Sequence, residues 1–452
     1  MNATNGGETI QNAYFLSLEL RNIRCFGERQ KINFSDLSGQ VRQWTIVLGN
    51  NGTGKTTLLQ SLVAMIPVKE SNDSSSPNYT TSGFSYKSNF VRKRFKAGEY
   101  RASFSTRPLK SPVRIDELLE FDCEVRPSEL IEIREFGSFP VQSFVSSHIQ
   151  KKLRMHLFAY GASRKTGETS FSEKSTDPYA TLFDETALLI NPEDWLLQAD
   201  YVASKPSEIK QWAVMRRERV LEVLKAVLPD VSKIEFGLLL DRSKKPKVAF
   251  HTPYGLVESK DLSLGYRTSM AWIVDFCSRM FDLYPSSENP LAEPAIVLID
   301  EIDLHLHPKW QRDLLPWLSD LFPNTQFVVT THSPLIVQSA AARDANIVVC
   351  RRDGDHIVID ESIEAVENWR NDQILSSSLF GVSPRSKEID ERLEERRKIL
   401  SKATLTKADE KKLVEIETEV GSIPVMEDPK YDRAMDIILR AAQKLEETGA
   451  SK

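Results

Sequence analysis

The amino-acid sequence predicts an α/β protein in which helices flank a mostly parallel β-sheet. Three apolar segments rich in β-branched residues, at 44–48, 295–299 and 324–330, indicate buried strands. Helical segments at 57–66 and 309–321 alternate with them, which is typical of strand–helix–strand units. Alternating segments near the start of the chain predict an additional mixed β lobe. Because parallel strands end at one edge of their sheet, we expect the polar residues that follow these strands to lie together.

Composition limits the class of protein. The chain has 452 residues, of which 40% are hydrophobic and 27% are charged, and its net charge is −5 at pH 7. This size predicts two or three structural units. Four cysteines are scattered without metal-binding spacing, which favours reduced thiols in a cytoplasmic protein. No apolar run reaches the length of a membrane span, so no membrane contact is expected. A nucleic-acid surface, if present, would be local, because the net charge is negative.

A phosphate-binding loop follows the first buried strand. Residues 49–56 read G-x-x-x-x-G-K-T, the P-loop pattern, and a strand precedes and a helix follows it. A chance glycine-rich turn is the alternative, which the full spacing and both flanks argue against. The glycines let backbone N–H groups surround a phosphate at a helix N-terminus. The predicted nucleotide-binding residues are Gly49, Asn50, Asn51, Gly52, Thr53, Gly54, Lys55, Thr56 and Thr57.

Two acids and a histidine follow the later strands. Asp300 and Glu301 come directly after the strand at 295–299, and His332 follows the next strand. With a P-loop, an acidic pair at a strand end indicates nucleoside triphosphate hydrolysis. Asp300 and the Thr56 hydroxyl would ligate Mg²⁺, and Glu301 would accept the proton of the attacking water. Without the other motifs, His332 would be interpreted as a structural histidine in a turn.

Four motifs in order resemble those of ABC-type ATPases. Besides the P-loop, residues 262–267 (Leu-Ser-Leu-Gly-Tyr-Arg) are similar to the signature motif of that family. Residues 299–308 are similar to its Walker B strand and the following loop, and residues 331–334 to its switch histidine. The resemblance spans about residues 15–340 and is strongest to the SMC/RecF/OLD-like AAA ATPases of bacterial defence systems. Among these, the PtuA-type ATPases of the Septu anti-phage system are the most similar.

The resemblance implies a shared mechanism. Two ATPase heads meet head to tail and hold ATP with Mg²⁺ between the P-loop of one and the signature of the other, in dimers or larger homo-oligomers. Ser263 and the Gly265 amide would then contact the γ-phosphate bound by the opposite protomer. Glu301 would be the catalytic base and His332 the γ-phosphate sensor. For Septu-type ATPases the implied partner is an HNH nuclease of the PtuB type, which this chain would regulate.

The chain departs from the family pattern in the loop after Asp300. His307 stands where SMC-type heads carry an aspartate. His305 and His307 could both be metal ligands, but an interface role is favoured because no third ligand is visible nearby. Either Gln142 or Gln150 could be the glutamine of the usual Q-loop. Arg164 is a further candidate near the phosphates.

These motifs divide the chain into three segments. Residues 1–340 are expected to form the ABC-type ATPase head, with an insertion at 68–260 between P-loop and signature. Residues 341–384 are predicted to contain a sheet-edge hairpin, around Asp353-Gly354-Asp355, and a linker. Residues 385–452 are highly charged and predict a helical C-terminal extension for assembly or partner docking.

Two other functions compete with the defence ATPase. The basic segment Lys87–Lys110 interleaves aromatic residues and could grip nucleic acid, as a RecF-like or SMC-like DNA-repair ATPase would. A solvated hairpin is the favoured interpretation of that segment. An OLD-like nuclease is the third alternative. It is disfavoured because a two-metal site needs more carboxylates than Asp353 and Asp355, so we expect no nuclease activity from this chain itself.

Overall fold

The computed structural model describes residues 11–69, 79–81, 98–105, 109, 118–125, 153–167, 177–237, 246–361, 369, 371–377, 379–380, 386–400, 402 and 406–421. The chain divides into two compact units, residues 1–380 and 381–452. Gln142, Gln150 and most of the basic segment at 87–110 lie outside the described residues.

The first unit contains every described strand and most of the helices. Its strands are β1 (Gln11–Asn12), β2 (Tyr14–Arg21), β3 (Gln30–Asn33), β4 (Trp44–Gly49), β5 (Pro67–Lys69), β6 (Tyr79–Thr81), β7 (Gly98–Ser105), β8 (Leu118–Val125), β9 (Leu153–Arg154), β10 (Leu157–Tyr160), β11 (Lys233–Gly237), β12 (Lys247–Thr252), β13 (Gly255–Glu258), β14 (Ala295–Ile299), β15 (Thr325–Thr330), β16 (Asn346–Asp353) and β17 (His356–Glu361). Its helices are α1 (Lys55–Ala64), α2 (Ala180–Phe183), α3 (Pro192–Ser204), α4 (Lys210–Val227), α5 (Leu264–Leu283), α6 (Pro308–Leu321), α7 (Pro334–Ala341) and α8 (Asn371–Ser376).

A six-stranded sheet forms the centre of this unit, in the order β10-β14-β15-β4-β16-β17. The first five strands are parallel, and only β17 is antiparallel, paired with β16. The prediction of a mostly parallel sheet is confirmed. Strands β14, β15 and β4 are neighbours, so the residues that follow them meet at one edge, as expected for parallel strands.

Alternation along the buried strands separates two cores. Ile46 and Val329 belong to one core, and their neighbours Val47 and Val328 belong to the other. Residues of α3 to α7 pack in the first core, and residues of α1 and the β lobe pack in the second. Because both faces are covered, β4, β14 and β15 are buried along almost their whole length and mostly apolar, as is usual for parallel sheets.

The β lobe is a four-stranded antiparallel sheet in the order β3-β2-β7-β8. Strand β7 carries the described part of the basic segment, and there the aromatic residues face inward: Tyr100 and Phe104 are buried in the core. Hence neither ring is available to stack on a base. A three-stranded antiparallel sheet, β11-β12-β13, and two short strand pairs, β1-β9 and β5-β6, complete the unit.

The described part of the second unit consists of helices α9 (Lys387–Leu400) and α10 (Lys407–Gly421), which pack against each other. Ion pairs join them, among them Arg392 with Glu419 and Lys412 with Glu395. The helical prediction is confirmed over these residues, while 422–452 lie outside the described part. Within the described ranges, no helix has the length and apolar character that crossing a membrane requires.

Candidate nucleotide site

The P-loop joins β4 to α1 with a backbone that favours glycine. Gly49, Gly52 and Gly54 have φ angles of 145°, 77° and 81°, a region that side chains with a Cβ rarely adopt. At Gly49 a Cβ would also lie 2.5 Å from the Cys350 carbonyl and 2.5 Å from Thr53 Oγ1. Residue Gly54 is the N-cap of α1, so the loop delivers its amides at a helix N-terminus. This is the geometry that binds phosphate.

Lys55 is the buried cation of the loop. Its Nζ donates to the carbonyl oxygens of Gly49 at 2.8 Å and Asn50 at 3.1 Å, and to His332 Nε2 at 2.9 Å. Because an ammonium group only donates, His332 accepts through Nε2. Burial lowers the pKa of Lys55. The predicted phosphate-binding lysine and the predicted sensor histidine are therefore in direct contact.

An oxygen pair for a divalent cation lies beside this lysine. Thr56 Oγ1 donates to Asp300 Oδ2 at 2.7 Å, and Thr330 Oγ1 donates to Asp300 Oδ1 at 2.6 Å. Mg²⁺ prefers hard oxygen ligands, usually one or two from the protein. A hydroxyl and a carboxylate within hydrogen-bonding distance of each other match that preference, so the residues fit the predicted cation.

Glu301 follows in a turn with an unusual backbone. Its φ angle is 49°, in the left-handed region, and its N–H donates to Thr330 Oγ1 at 2.7 Å. Thr330 thus bonds to both acidic residues: its hydroxyl donates to the Asp300 carboxylate, and the same oxygen accepts the Glu301 N–H. Thr330 belongs to no recognisable motif, and the signal for it in the sequence is its place at the end of the strand before His332.

Arg164 reaches the same turn from the end of β10. Its side chain is only 3% exposed, and Nη2 donates to the carbonyl oxygens of Asp300 at 2.5 Å and Glu301 at 2.8 Å. Burial lowers its pKa to about 10, while the nearby carboxylates of Asp300, Asp303 and Glu301 oppose that shift. The sequence marked Arg164 as a candidate near the phosphates. In the structure, its hydrogen-bond partners are the backbone carbonyls of Asp300 and Glu301, which together form the acidic turn.

The His332 turn is tied to the loop that follows Glu301. Thr331 Oγ1 donates to Asp303 Oδ1 at 2.5 Å, and Ser333 Oγ donates to Gln311 Oε1 at 2.7 Å. Ser333 also caps α7. The histidine is therefore flanked on both sides by residues bonded to the segment between β14 and β15, at Asp303 in the loop and at Gln311 in α6, a long-range connection that no sequence motif indicates.

The signature residues lie at the start of α5. Ser263 is exposed and is the N-cap of this helix, where its hydroxyl accepts the N–H of Tyr266 at 3.4 Å. Gly265 is buried, and a Cβ there would lie 2.2 Å from the His305 carbonyl. Among the described residues, neither makes a hydrogen bond to the P-loop of its own chain. Their contact with a γ-phosphate bound by a second protomer stays a prediction.

The two loop histidines differ in their surroundings. His305 is exposed with a φ angle of 63°, while His307 Nδ1 accepts the N–H of Lys309 and caps α6. Within the described part of the chain, no group of three or more His, Cys, Asp or Glu side chains is arranged to hold a metal ion.

Two protein-family models match parts of the chain. A family model described as an AAA domain covers residues 17–184, which include the P-loop. A second AAA domain model, whose description also names the AbiEii toxin and a Type IV TA system, covers residues 278–338. The second stretch contains Asp300, Glu301 and His332, so the two models together include both halves of the site.

Curated relatives are ATPases and Septu proteins. The Retron Vc95 probable ATPase of Vibrio cholerae is 24% identical over 76% of this chain and 75% of its own length. The Septu protein PtuA of Bacillus mycoides is 23% identical over 83% of this chain and 46% of its own length. The Retron Ec83 probable ATPase of Escherichia coli is 39% identical over 28% of this chain and 22% of its own length. The match thus spans most of the first relative but less than half of the other two.

Solved SMC heads also align with the chain. The SmcHead bound to the C-winged helix domain of ScpA has 15% identity and a TM-score of 0.44, covering 78% of this chain and 98% of that one. The SMC head domain from Thermotoga maritima has 14% identity and a TM-score of 0.40, covering 77% and 99%. The P-loop site, the AAA domain matches and the curated relatives lead to one conclusion: this chain is similar to AAA-type ATPases, among them the Septu protein PtuA and the retron probable ATPases.

Proposed function

We propose that this chain couples ATP hydrolysis to the control of a separate HNH-type nuclease in an anti-phage defence system. The proposal is supported mainly by one observation: Lys55, Asp300, Glu301 and His332 lie together at one edge of the central sheet. Similarity to PtuA and to the retron ATPases supports the biological setting. We expect the protein to act in the cytoplasm.

ATP binding would begin at the P-loop. The loop amides and the N-terminus of α1 receive the phosphates, and Lys55 exchanges its Gly49 and Asn50 carbonyl partners for β- and γ-phosphate oxygens. Mg²⁺, held by Thr56 and Asp300, would neutralise charge on the phosphates. Because Lys55 also contacts His332, its movement would alter the environment of the sensor histidine.

Hydrolysis would use Glu301 as general base. The oxygen of a water molecule attacks the γ-phosphorus while the bond to the β–γ bridging oxygen breaks and ADP leaves. The proton of that water passes to the Glu301 carboxylate and then to solvent. Thr330 holds the Glu301 N–H and Asp300 together, so base and cation ligand keep a fixed relation.

A second protomer would complete the site. Ser263 is exposed and bonded within its own helix rather than to its own P-loop, as expected for a residue that acts across a dimer interface. We propose a head-to-tail arrangement in which each signature faces the partner's P-loop. Two composite sites then form for each pair of heads.

Mixing two inactive variants tests this arrangement. Lys55→Ala removes the lysine, and Ser263→Arg blocks the signature. In their mixed dimer one composite site carries both lesions and the other carries neither, so ATP hydrolysis is expected to recover. Mass measurement verifies that mixed dimers form, and each variant alone is the control. Mixed dimers without recovered hydrolysis would rule out the shared site.

The nuclease partner requires its own test. We expect an HNH-nuclease gene beside the gene of this chain, and we expect the two products to copurify. A copurified complex should change nuclease activity when ATP is added, and the Lys55→Ala variant should lack that response. Absence of the neighbouring gene, or nuclease activity that ignores ATP in a verified complex, would count against the proposed control.

The DNA-repair alternative is weakened by the β lobe. Tyr100 and Phe104 of the basic segment are buried, which leaves β7 without the stacking rings that sequence analysis assigned to it. Affinity for DNA that falls steeply with salt would favour that alternative nonetheless, because phosphate contacts release counterions. We expect no such affinity from the ATPase alone.

A further inference from the structure

We infer that Arg164 is a positioning residue that fixes the backbone of the acidic turn and thereby aims the Glu301 side chain at the γ-phosphate. This inference rests on the proposed role of Glu301 as general base. It adds to that role a specific residue from the loop after β10, and a specific atom, Nη2, through which that residue acts.

The Asp300–Glu301 peptide is held at both of its polar groups. Arg164 Nη2 donates to the Asp300 carbonyl at 2.5 Å, and the Glu301 N–H donates to Thr330 Oγ1 at 2.7 Å. The same Nη2 also donates to the Glu301 carbonyl at 2.8 Å, which fixes the following peptide as well. Two neighbouring peptide planes therefore have their orientation set by one side chain from the loop after β10 and one from the end of β15.

The two hydrogen bonds from Arg164 to these carbonyls form a clamp on the acidic turn. The clamp acts where the backbone adopts an unfavourable conformation. The φ angle of Glu301 is 49°, and that of Arg164 itself is 40°. Residues with a Cβ keep such angles only when their surroundings enforce them. The direction of the Glu301 Cα–Cβ bond follows from this conformation. If the carbonyl contacts were lost, the turn could relax to the right-handed region and move the carboxylate.

Burial of the arginine argues for a dedicated role. Its side chain is 3% exposed, and within the described part of the chain it makes no ion pair and its Nε has no hydrogen-bond partner. The nearby carboxylates of Asp300, Asp303 and Glu301 favour its charge, but burial outweighs them and lowers its pKa, so burying this cation is unfavourable overall. A buried leucine or methionine would fill the same space at a lower cost, so the carbonyl contacts are the feature that the arginine provides.

The role predicts a specific kinetic effect. The P-loop follows β4, and Arg164 contacts residues after β14, so ATP binding should persist when the clamp is removed. Turnover should fall, because a reacting group misplaced by about 1 Å can cost about a hundredfold in rate. A direct phosphate ligand would instead lose ATP affinity, which separates the two roles.

The experiment uses Arg164→Met, Arg164→Lys and Arg216→Lys in the full-length chain. Met removes both donated bonds, whereas Lys keeps the charge on a shorter side chain. Arg216 is the matched control: it is a largely buried arginine whose described contacts are with Ser278, Asp282 and aromatic rings. We expect kcat to fall about a hundredfold in R164M and about tenfold in R164K, with ATP Kd within about twofold of the native value and R216K unaffected.

A double-variant cycle with Glu301→Gln separates the inference from the proposed function. In the E301Q background, R164M is expected to lower the residual rate by less than about twofold, because the group that it positions is already absent. A native rate in E301Q would overturn the base assignment, whatever Arg164 does. Loss of activity in E301Q with native kcat in R164M would overturn the inference alone.

Two further outcomes also contradict the inference. Weakened ATP binding in folded R164K would make Arg164 a ligand of the phosphates. A full additional loss from R164M in the E301Q background would make it a general structural residue. Thermal melting is measured for every variant. If R164M does not fold, R164K decides: native kcat in that variant would overturn the clamp.

Discussion

The two halves of the nucleotide site are built in different ways. The P-loop is local: its shape comes from three glycines within six residues, and Lys55 bonds to the carbonyls of its own loop. The acidic turn is assembled from distant segments. Arg164 comes from the end of β10 and Thr330 from the end of β15, and each bonds to the backbone around Glu301.

We expect this difference to separate ATP binding from ATP hydrolysis. Changes in the P-loop should weaken ATP binding, because the loop amides and Lys55 are predicted to contact the phosphates. Changes in the supports of the acidic turn should slow hydrolysis while ATP still binds. Substitutions in each half of the site can therefore distinguish the two effects.

Lys55→Ala should cause the largest loss of ATP affinity. Two charge-assisted hydrogen bonds to phosphates are lost, worth about 3 kcal/mol together, which is about a hundredfold or more in affinity. Titration calorimetry measures the Kd, and Lys205→Ala, on the surface at the end of α3, is the control. Unchanged ATP affinity in K55A would show that the P-loop lysine does not contribute to ATP binding.

Gly49→Ala and Gly52→Ala form a matched pair within the loop. At Gly49 the added Cβ meets the Cys350 carbonyl at 2.5 Å, whereas at Gly52 it meets no atom within 4 Å. G52A should incur only the cost of the left-handed backbone, about 1–2 kcal/mol of folding free energy, and ATP affinity should fall by roughly tenfold at most. G49A should lose more, with a lower melting temperature. Equal losses in the two variants would show that crowding at Gly49 is unimportant.

Thr330→Val should slow hydrolysis more than it weakens ATP binding. It leaves the Glu301 N–H and Asp300 Oδ1 without their shared partner, a cost of about 1–3 kcal/mol. We expect kcat to fall about tenfold. Thr325→Val is the matched control on the same strand, since the Thr325 hydroxyl is buried with no hydrogen-bond partner among the described residues. It should leave kcat unchanged and the melting temperature equal or higher.

Removal of residues 385–452 should have the smallest effect on the nucleotide. The described helices of the second unit, α9 and α10, bond to each other through ion pairs such as Arg392–Glu419. We expect ATP affinity within about twofold of the native value, with loss of assembly or of nuclease binding seen as a change in particle mass. Unaltered assembly and partner binding would exclude a docking role. Loss of folding would mean that the extension packs on the head.

Much of this site was open to prediction from the sequence. The P-loop spacing, the acidic pair after β14 and the histidine after β15 identified Lys55, Asp300, Glu301 and His332, and the parallel-sheet pattern predicted that they meet. The reason is physical. Phosphate binding needs glycine backbone angles within one short loop, and parallel strands end at a common edge whatever their other contacts.

Only the tertiary structure decided how the acidic turn is held. No spacing rule connects Arg164 to the carbonyls of residues 136 and 137 positions later, or assigns Thr330 to both acids. The burial of Tyr100 and Phe104 was equally hidden, because a basic segment with interleaved aromatics is compatible with either face of a strand. Backbone conformations required within one short loop produce a recognisable sequence pattern. Contacts between distant segments involve single residues, and their partners can be identified only from the assembled sheet.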